Sequence, residues 1–255
     1  MQPCSENAVF EWIQHGRVAF QPRSEGQQWQ ARVCNLIPPT FKRYAKVLHR
    51  LDAHYENIDQ PLSQPELAIL HIPDCAPVRD FVETKRKTSP TTRVLWKEAA
   101  ESLNVPFRPE INHQWFVERL RPHPECWPRF IYGPAEGGLE DEECSELVRV
   151  LAPFTPSGEC FVRFSEIPLL GTDAPLLFDG HLDEIKQLAE PYHFTPEYWW
   201  PANQSWCLCS DYDLDFTIIG GDAQLVEALL RNEVLESIEV TSNTRIDSFV
   251  TMPEI

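Results

Sequence analysis

Three aspartates occupy every second position in S-D-Y-D-L-D: Asp211, Asp213 and Asp215, just after the pair Cys207 and Cys209. Side chains alternate along an extended strand, so this spacing predicts all five on one face, with Tyr212, Leu214, Phe216 and Ile218 on the other. Carboxylates placed so close repel one another unless water, an arginine or a cation lies among them. Two chemistries fit the pattern. One is a Mg²⁺ or Mn²⁺ site serving a hydrolase; the other is a solvated acidic face that meets a basic partner. An EF-hand loop does not fit, because its sixth position needs glycine and its twelfth glutamate, where this chain has Phe216 and Asp222.

The cysteines raise a second metal possibility. His123 and Cys126 form His-x-x-Cys, and with Cys207 and Cys209 they would supply a Cys₃His set suited to zinc. Neither half has a C-x-x-C knuckle, and ordinary buried thiols account for the same residues. A nucleophilic thiol needs a base and a positive environment, which the acidic neighbours do not offer. Trp199 and Trp200 are adjacent, so their rings point in different directions. One is expected in the core, and the other is a candidate surface anchor for a partner. Gly220-Gly221 lacks the G-x-G-x-x-G spacing and the lysine of a phosphate loop, and it reads as a tight turn. No H-E-x-x-H or G-x-S-x-G occurs, and no cofactor is expected.

The elements that must carry these residues are short, as 23 prolines dictate. The hydrophobic pattern predicts a helix over 6–14, a strand over 28–36 and an ambiguous segment over 41–51. A polar, basic, mobile loop is expected over 84–93, then a helix over 93–103 capped by Thr92. Next come a strand over 111–120, a rigid loop over 122–128 and a helix over 140–151 led by acidic residues. A strand over 160–164 and a short helix over 182–189 follow. The C-terminal part reads as a strand over 205–219, the glycine pair, a helix begun by Asp222 with Leu225, Val226, Leu229 and Leu230 inward, and a strand near 237–240. The class is α+β, with a mixed or mostly antiparallel sheet, short helices and a C-terminal strand-Gly-Gly-helix-strand unit. The chain reads as a single domain over 1–255; the alternative is a near-neutral lobe, 1–124, and a strongly acidic lobe, 125–255.

Charge is the strongest global signal. The net charge is −17 over 255 residues, yet residues 1–130 hold 17 Lys/Arg against 15 Asp/Glu, and the remainder holds 5 against 24. Such a surface repels nucleic acid and anionic membranes, and it speeds encounter with basic partners. Solubility alone is the plainer account of the same charge. No run approaches the roughly 18 apolar residues of a membrane span. The first residues lack the basic and apolar regions of a secretory signal, so the expected location is the cytoplasm. Eight scattered cysteines in a chain of this size fit a reducing compartment.

The segment EYWWPANQSWCLCSDYDLDFTIIGG resembles a C-terminal motif of an uncharacterised bacterial family, frequent in actinobacteria. Trp200, Pro201, Trp206, Cys207, Asp213, Gly220 and Gly221 carry the match, with weaker ones at FKRYAKVLH, VLWKEAA and LFDG. Where the family tends to have Asp-Arg, this chain has Asn203-Gln204. The family implies no activity. The reading that remains is a non-enzymatic acidic protein that binds a basic protein, analogous to the immunity proteins that neutralise toxins. Its interaction candidates are Trp199, Trp200, Asp211, Asp213 and Asp215. A divalent-metal hydrolase using the three aspartates is the alternative, and a mimic of nucleic-acid charge is a third, weaker one.

Overall fold

In a computed structural model the described residues are 1–4, 7–20, 30–53, 83–87, 91–119, 131–165, 175–189, 192, 194–247, 250 and 252. They form an α+β fold with antiparallel sheets and short helices. The chain divides into two compact units: Met1–His49 with Ala135–Phe249, and Arg50–Pro134 with Val250–Ile255. Residues 1–49 therefore belong with most of the acidic half.

The strands of the first unit are β1 (Gln2–Pro3), β2 (Arg43–Leu48), β6 (Glu159–Phe164), β7 (Leu176–His181), β8 (Tyr198–Pro201), β9 (Cys207–Cys209), β10 (Phe216–Gly221) and β11 (Glu236–Val240). They make one sheet in the order β1-β7-β6-β8-β9-β10-β2-β11, with every neighbouring pair antiparallel. One face carries Ala45, Val47, Val162, Phe164, Trp199, Leu208 and Ile219 into a core shared with helices α5 (Asp141–Leu151), α6 (Ile185–Ala189) and α7 (Ala223–Leu230). These helices contribute Leu147, Leu151, Ile185, Leu225, Val226 and Leu229. Their spacing is the three-to-four residue repeat of an amphipathic helix. Helix α5 begins with Asp141, Glu142 and Glu143, which favour the positive end of its dipole. Asp222 caps α7, its Oδ1 accepting from the Leu225 N–H at 2.8 Å. Strands β10 and β11 flank β2, both antiparallel to it, so β10-α7-β11 is a β-α-β unit that straddles one strand.

The second unit holds a sheet in the order β4 (Arg93–Val94), β3 (Leu51–Ala53), β5 (Ile131–Tyr132) and the helices α3 (Trp96–Leu103) and α4 (His113–Arg119). Trp96 and Phe116 meet edge to face at 5.4 Å. In the first unit, α1 (Glu11–Gly16) and α2 (Val33–Leu36) complete the helices named here.

Several local expectations give way to specific bonds. Residues 33–36 are helical rather than extended: the Arg32 N–H donates to Asn35 Oδ1 at 2.7 Å, closing the first turn. Residues 113–119 are helix rather than strand, because Asn112 Oδ1 accepts from the Trp115 N–H at 3.3 Å and starts one. Thr92 does not cap α3. Its hydroxyl donates to Asp52 at 2.7 Å, and Glu98 receives the Leu95 N–H at 3.0 Å instead. Residues 83–87 form a helical turn, overlapping the start of the loop expected over 84–93, and Lys85 ties it to Glu98 of α3 at 2.8 Å. The loop 122–128, with His123 and Cys126, lies outside the described residues. Gly220 and Gly221 are the last residues of β10 rather than a turn, and a Cβ on Gly220 would collide with the Phe41 ring.

Candidate functional site

The stretch 205–219 is a hairpin, not one strand. Strand β9 ends at Cys209, the chain reverses, and β10 starts at Phe216. The reversal is written in the aspartates. Asp211 O accepts from the Leu214 N–H at 2.9 Å, and Asp211 Oδ1 accepts from the Asp213 N–H at 3.1 Å. A short carboxylate two residues before a backbone donor closes such an Asx turn. The three aspartates consequently do not share a face. Asp211 is half-buried, Asp213 is exposed, and Asp215 is buried with its carbonyl accepting from the His49 N–H at 3.0 Å. Every residue of β8, β9 and β10 is buried, so these strands offer no acidic face.

The tip is held by a buried polar chain. His49 Nδ1 lies 2.6 Å from Ala135 O, and a carbonyl can only accept, so Nδ1 carries the proton. Nε2 then accepts from the Thr217 hydroxyl at 3.0 Å, and Thr217 Oγ1 accepts from Ser210 Oγ at 2.5 Å. Burial pushes the imidazole pKa down, against the Ala135 hydrogen bond and the Asp215 charge, which matches this neutral form. The same chain pins residue 135, and the Gly137 N–H donates to Leu214 O at 3.0 Å. Gly137 has φ +74°, and a Cβ there would lie 2.7 Å from Tyr212 Cα. Glu136, exposed, is thus fixed between two anchors alongside the hairpin tip.

Tyr212 is the most exposed large hydrophobic residue among those described, at 55%. Its phenol pKa is raised, first by Asp213, then by burial, Asp211 and Glu197. Glu197 precedes β8, and its carbonyl accepts from the Ser210 N–H at 2.8 Å, which brings it beside the residue preceding Asp211. Its Oε2 is sealed from solvent and has no hydrogen-bond partner. Burial and then the Asp211 charge push the Glu197 pKa up to about 8, opposed by Arg163, Arg17 and the Ser165 N–H. Asp211 is raised as well, by burial and then Asp213. Two carboxylates in reach of each other resist carrying two charges, and the more enclosed Glu197 keeps the proton. The arginines are committed elsewhere. Arg17 Nη1 donates to Tyr198 Oη at 2.9 Å; Arg163 Nη1 donates to Ser165 Oγ at 3.1 Å and its guanidinium lies 4.3 Å from the Phe10 ring centre.

The other expected residues are placed differently. Trp199 and Trp200 are both buried, so neither is a surface anchor. Trp199 Nε1 donates to Pro196 O at 2.8 Å, and Trp200 stacks on Phe161 at 5.7 Å. Cys207 and Cys209 are fully buried, and burial raises both thiols well above their ordinary pKa. Among the described residues no group of three or more His, Cys, Asp or Glu converges as metal ligands would, and that includes Asp211, Asp213 and Asp215. No described helix is long and apolar enough to cross a membrane. Sequence reasoning passed over Glu197, which meets the hairpin through the Ser210 N–H, and Glu136, whose segment is joined to it through the His49 anchor. No family model, curated protein or solved structure matches the chain.

Proposed function

We propose that this protein binds a basic protein segment through the hairpin tip. The carrying observation is Tyr212, an exposed ring on a backbone held by the Asp211 turn, with its phenol in the field of Asp213 and Asp211. An aromatic face with negative charge around it attracts Arg or Lys electrostatically and offers apolar area for the side-chain stem. The backbone that carries the ring is fixed by an Asx turn and a close glycine approach, so little backbone entropy is lost on binding. The charge of −17 supports a positively charged partner and disfavours nucleic acid.

The test is affinity capture from extracts of the source cells at low and high salt. Three proteins are compared: wild type, Tyr212→Ala/Asp213→Asn, and a control with Glu142→Gln/Glu159→Gln, which neutralises exposed acids elsewhere. Wild type and control should retain the same basic protein at low salt, and the tip variant should lose it. Recovery of no basic protein, or equal recovery by all three, overturns the reading.

A further inference from the structure

We propose that β11, the edge of the eight-stranded sheet, pairs with β11 of a second copy of this chain, antiparallel and across a two-fold axis at Ile238. This surface is separate from the hairpin tip and from the basic segment proposed to dock there.

One hydrogen bond fixes which backbone groups face outward. The His49 N–H donates to Asp215 O at 3.0 Å, on the β10 side of β2. Backbone groups alternate sides along a strand, so Val47 and Ala45 also bond toward β10, while Leu48, Lys46 and Tyr44 bond toward β11. Their partners in β11 are Glu236, Ile238 and Val240. Ser237 and Glu239 therefore turn their N–H and C=O groups away from β2, and β11 ends the sheet among the described residues. The neighbouring donors on that side are taken: Asn232 Oδ1 accepts from the Leu235 N–H at 2.8 Å, and Thr244 Oγ1 from the Thr241 N–H at 2.9 Å. A lysine, a proline or a bulge is the usual guard of such an edge, and E-S-I-E-V pairs with β2 without any of them. Glu239 is no guard either, since Arg43 neutralises it through two bonds at 2.7 and 2.8 Å. The opposite edge, β1, carries Pro3, which has no N–H to offer.

Two outward residues with one between them suit a self-complementary antiparallel pair. With the axis at Ile238, Ser237 faces Glu239 of the second copy and Glu239 faces Ser237 of the second copy. Each is a hydrogen-bonded pair, which makes four backbone bonds. Ile238 then meets its own counterpart in the closer, non-hydrogen-bonded position, an apolar β-branched pair, and Glu236 faces Val240. No like charges lie directly opposite. A register centred on Glu239 sets glutamate against glutamate, and one centred on Ser237 brings in Leu235, whose N–H is already taken. A basic strand is the poorer occupant, because Glu239 already has its cation. One short strand pair is less than a standard interface, so the association is weak, and the charge of −17 on each copy opposes it at long range. Salt therefore tightens this dimer, whereas it weakens the docking of a basic segment.

Sedimentation velocity of the full chain, from micromolar to sub-millimolar concentration in low and in high salt, reads the association. In high salt the sedimentation coefficient should rise with concentration toward that of a dimer, and in low salt it should rise less. Ser237→Pro removes one outward donor and none of the bonds to β2, so it should melt as the wild type does and stay monomeric. Under mild oxidation in high salt, Ile238→Cys should cross-link two chains through residue 238, as read by mapping the joined peptide. Glu236→Cys, which faces Val240 and not itself, should not cross-link through residue 236. A monomer at every concentration and salt overturns the proposal. So does association that weakens as salt is added, a folded Ser237→Pro chain that associates as the wild type does, or a dimer of Ile238→Cys that does not cross-link at 238. None of these outcomes bears on the hairpin tip, whose own test is capture of a basic protein.

Discussion

Glu197→Gln should make the protein more stable in alkaline solution, although it removes a charged group and leaves the shape almost unchanged. Below pH 4.5 the carboxyl is protonated in both folded and unfolded chains, and its titration contributes no difference. Between 4.5 and about 8 the folded chain holds the proton and the unfolded chain has lost it, so stability falls as pH rises. Above about 8 the full loss is in place. At about 1.4 kcal/mol per pKa unit, the displacement to about 8 sets a ceiling near ~5 kcal/mol. Part of the residue reaches solvent, which screens the charge and brings the expected effect to roughly 2–3 kcal/mol. The amide does not titrate, so it escapes this loss. Urea unfolding of both proteins at half-unit steps from pH 5 to 9 measures it. The difference between the two curves should be small at pH 5, widen through the window and level off above pH 8. Parallel curves, or a variant less stable at pH 9, would refute the reasoning that burial and Asp211 hold the proton on Glu197.

Other perturbations read out the supports of the tip. Gly137→Ala should cost about 2 kcal/mol or more, since a left-handed backbone is strained for alanine and its Cβ meets the Tyr212 backbone; thermal melts and the Tyr212 amide resonance would report it. Thr217→Val keeps the shape but leaves His49 Nε2 without its donor and Ser210 without its acceptor, a loss of roughly 2–4 kcal/mol by urea unfolding. Asp222→Ala removes the cap of α7 and should cost about 1 kcal/mol by the same measurement.

What could be read from the chain was what local chemistry decides. Helices α5 and α7 were legible because an acidic first turn, a capping aspartate and an apolar stripe agree with one another. Where two local codes compete, the weaker-looking one prevailed. The alternating aspartates fit a strand, but an aspartate two residues ahead of a free N–H is also a turn former, and the turn won. Asn112 and Glu98 were equally available as caps, and the run of large residues after Asn112 concealed the first of them. Helix α2 could not be read at all, because Thr244 and Ser242, remote in sequence, take the N–H groups of Val33 and Cys34. The candidate site was half visible. Asp211 and Asp213 stood out by spacing, whereas Tyr212 was assigned to the interior by the period-two reading. Glu197 and the 135–137 segment have no local signature, since they join the tip only after β8 pairs with β9 and His49 holds Ala135.

The place of β2 in the sheet has a consequence for biosynthesis. This strand leaves the ribosome before both its neighbours, Phe216–Gly221 and Glu236–Val240, which lie far after it in the chain. Until those neighbours are made, R-Y-A-K-V-L lacks its sheet partners, and an apolar strand in that condition joins like segments on neighbouring nascent chains. Lys46 interrupts that run. Its ammonium stays hydrated while the strand waits, and a charge in such a segment opposes edge-to-edge association. Once β10 arrives, the same ammonium lies 3.9 Å from the centre of the Phe216 ring and is fully buried. A residue whose burial is costly in the finished sheet thus guards the strand during the interval before its partners exist.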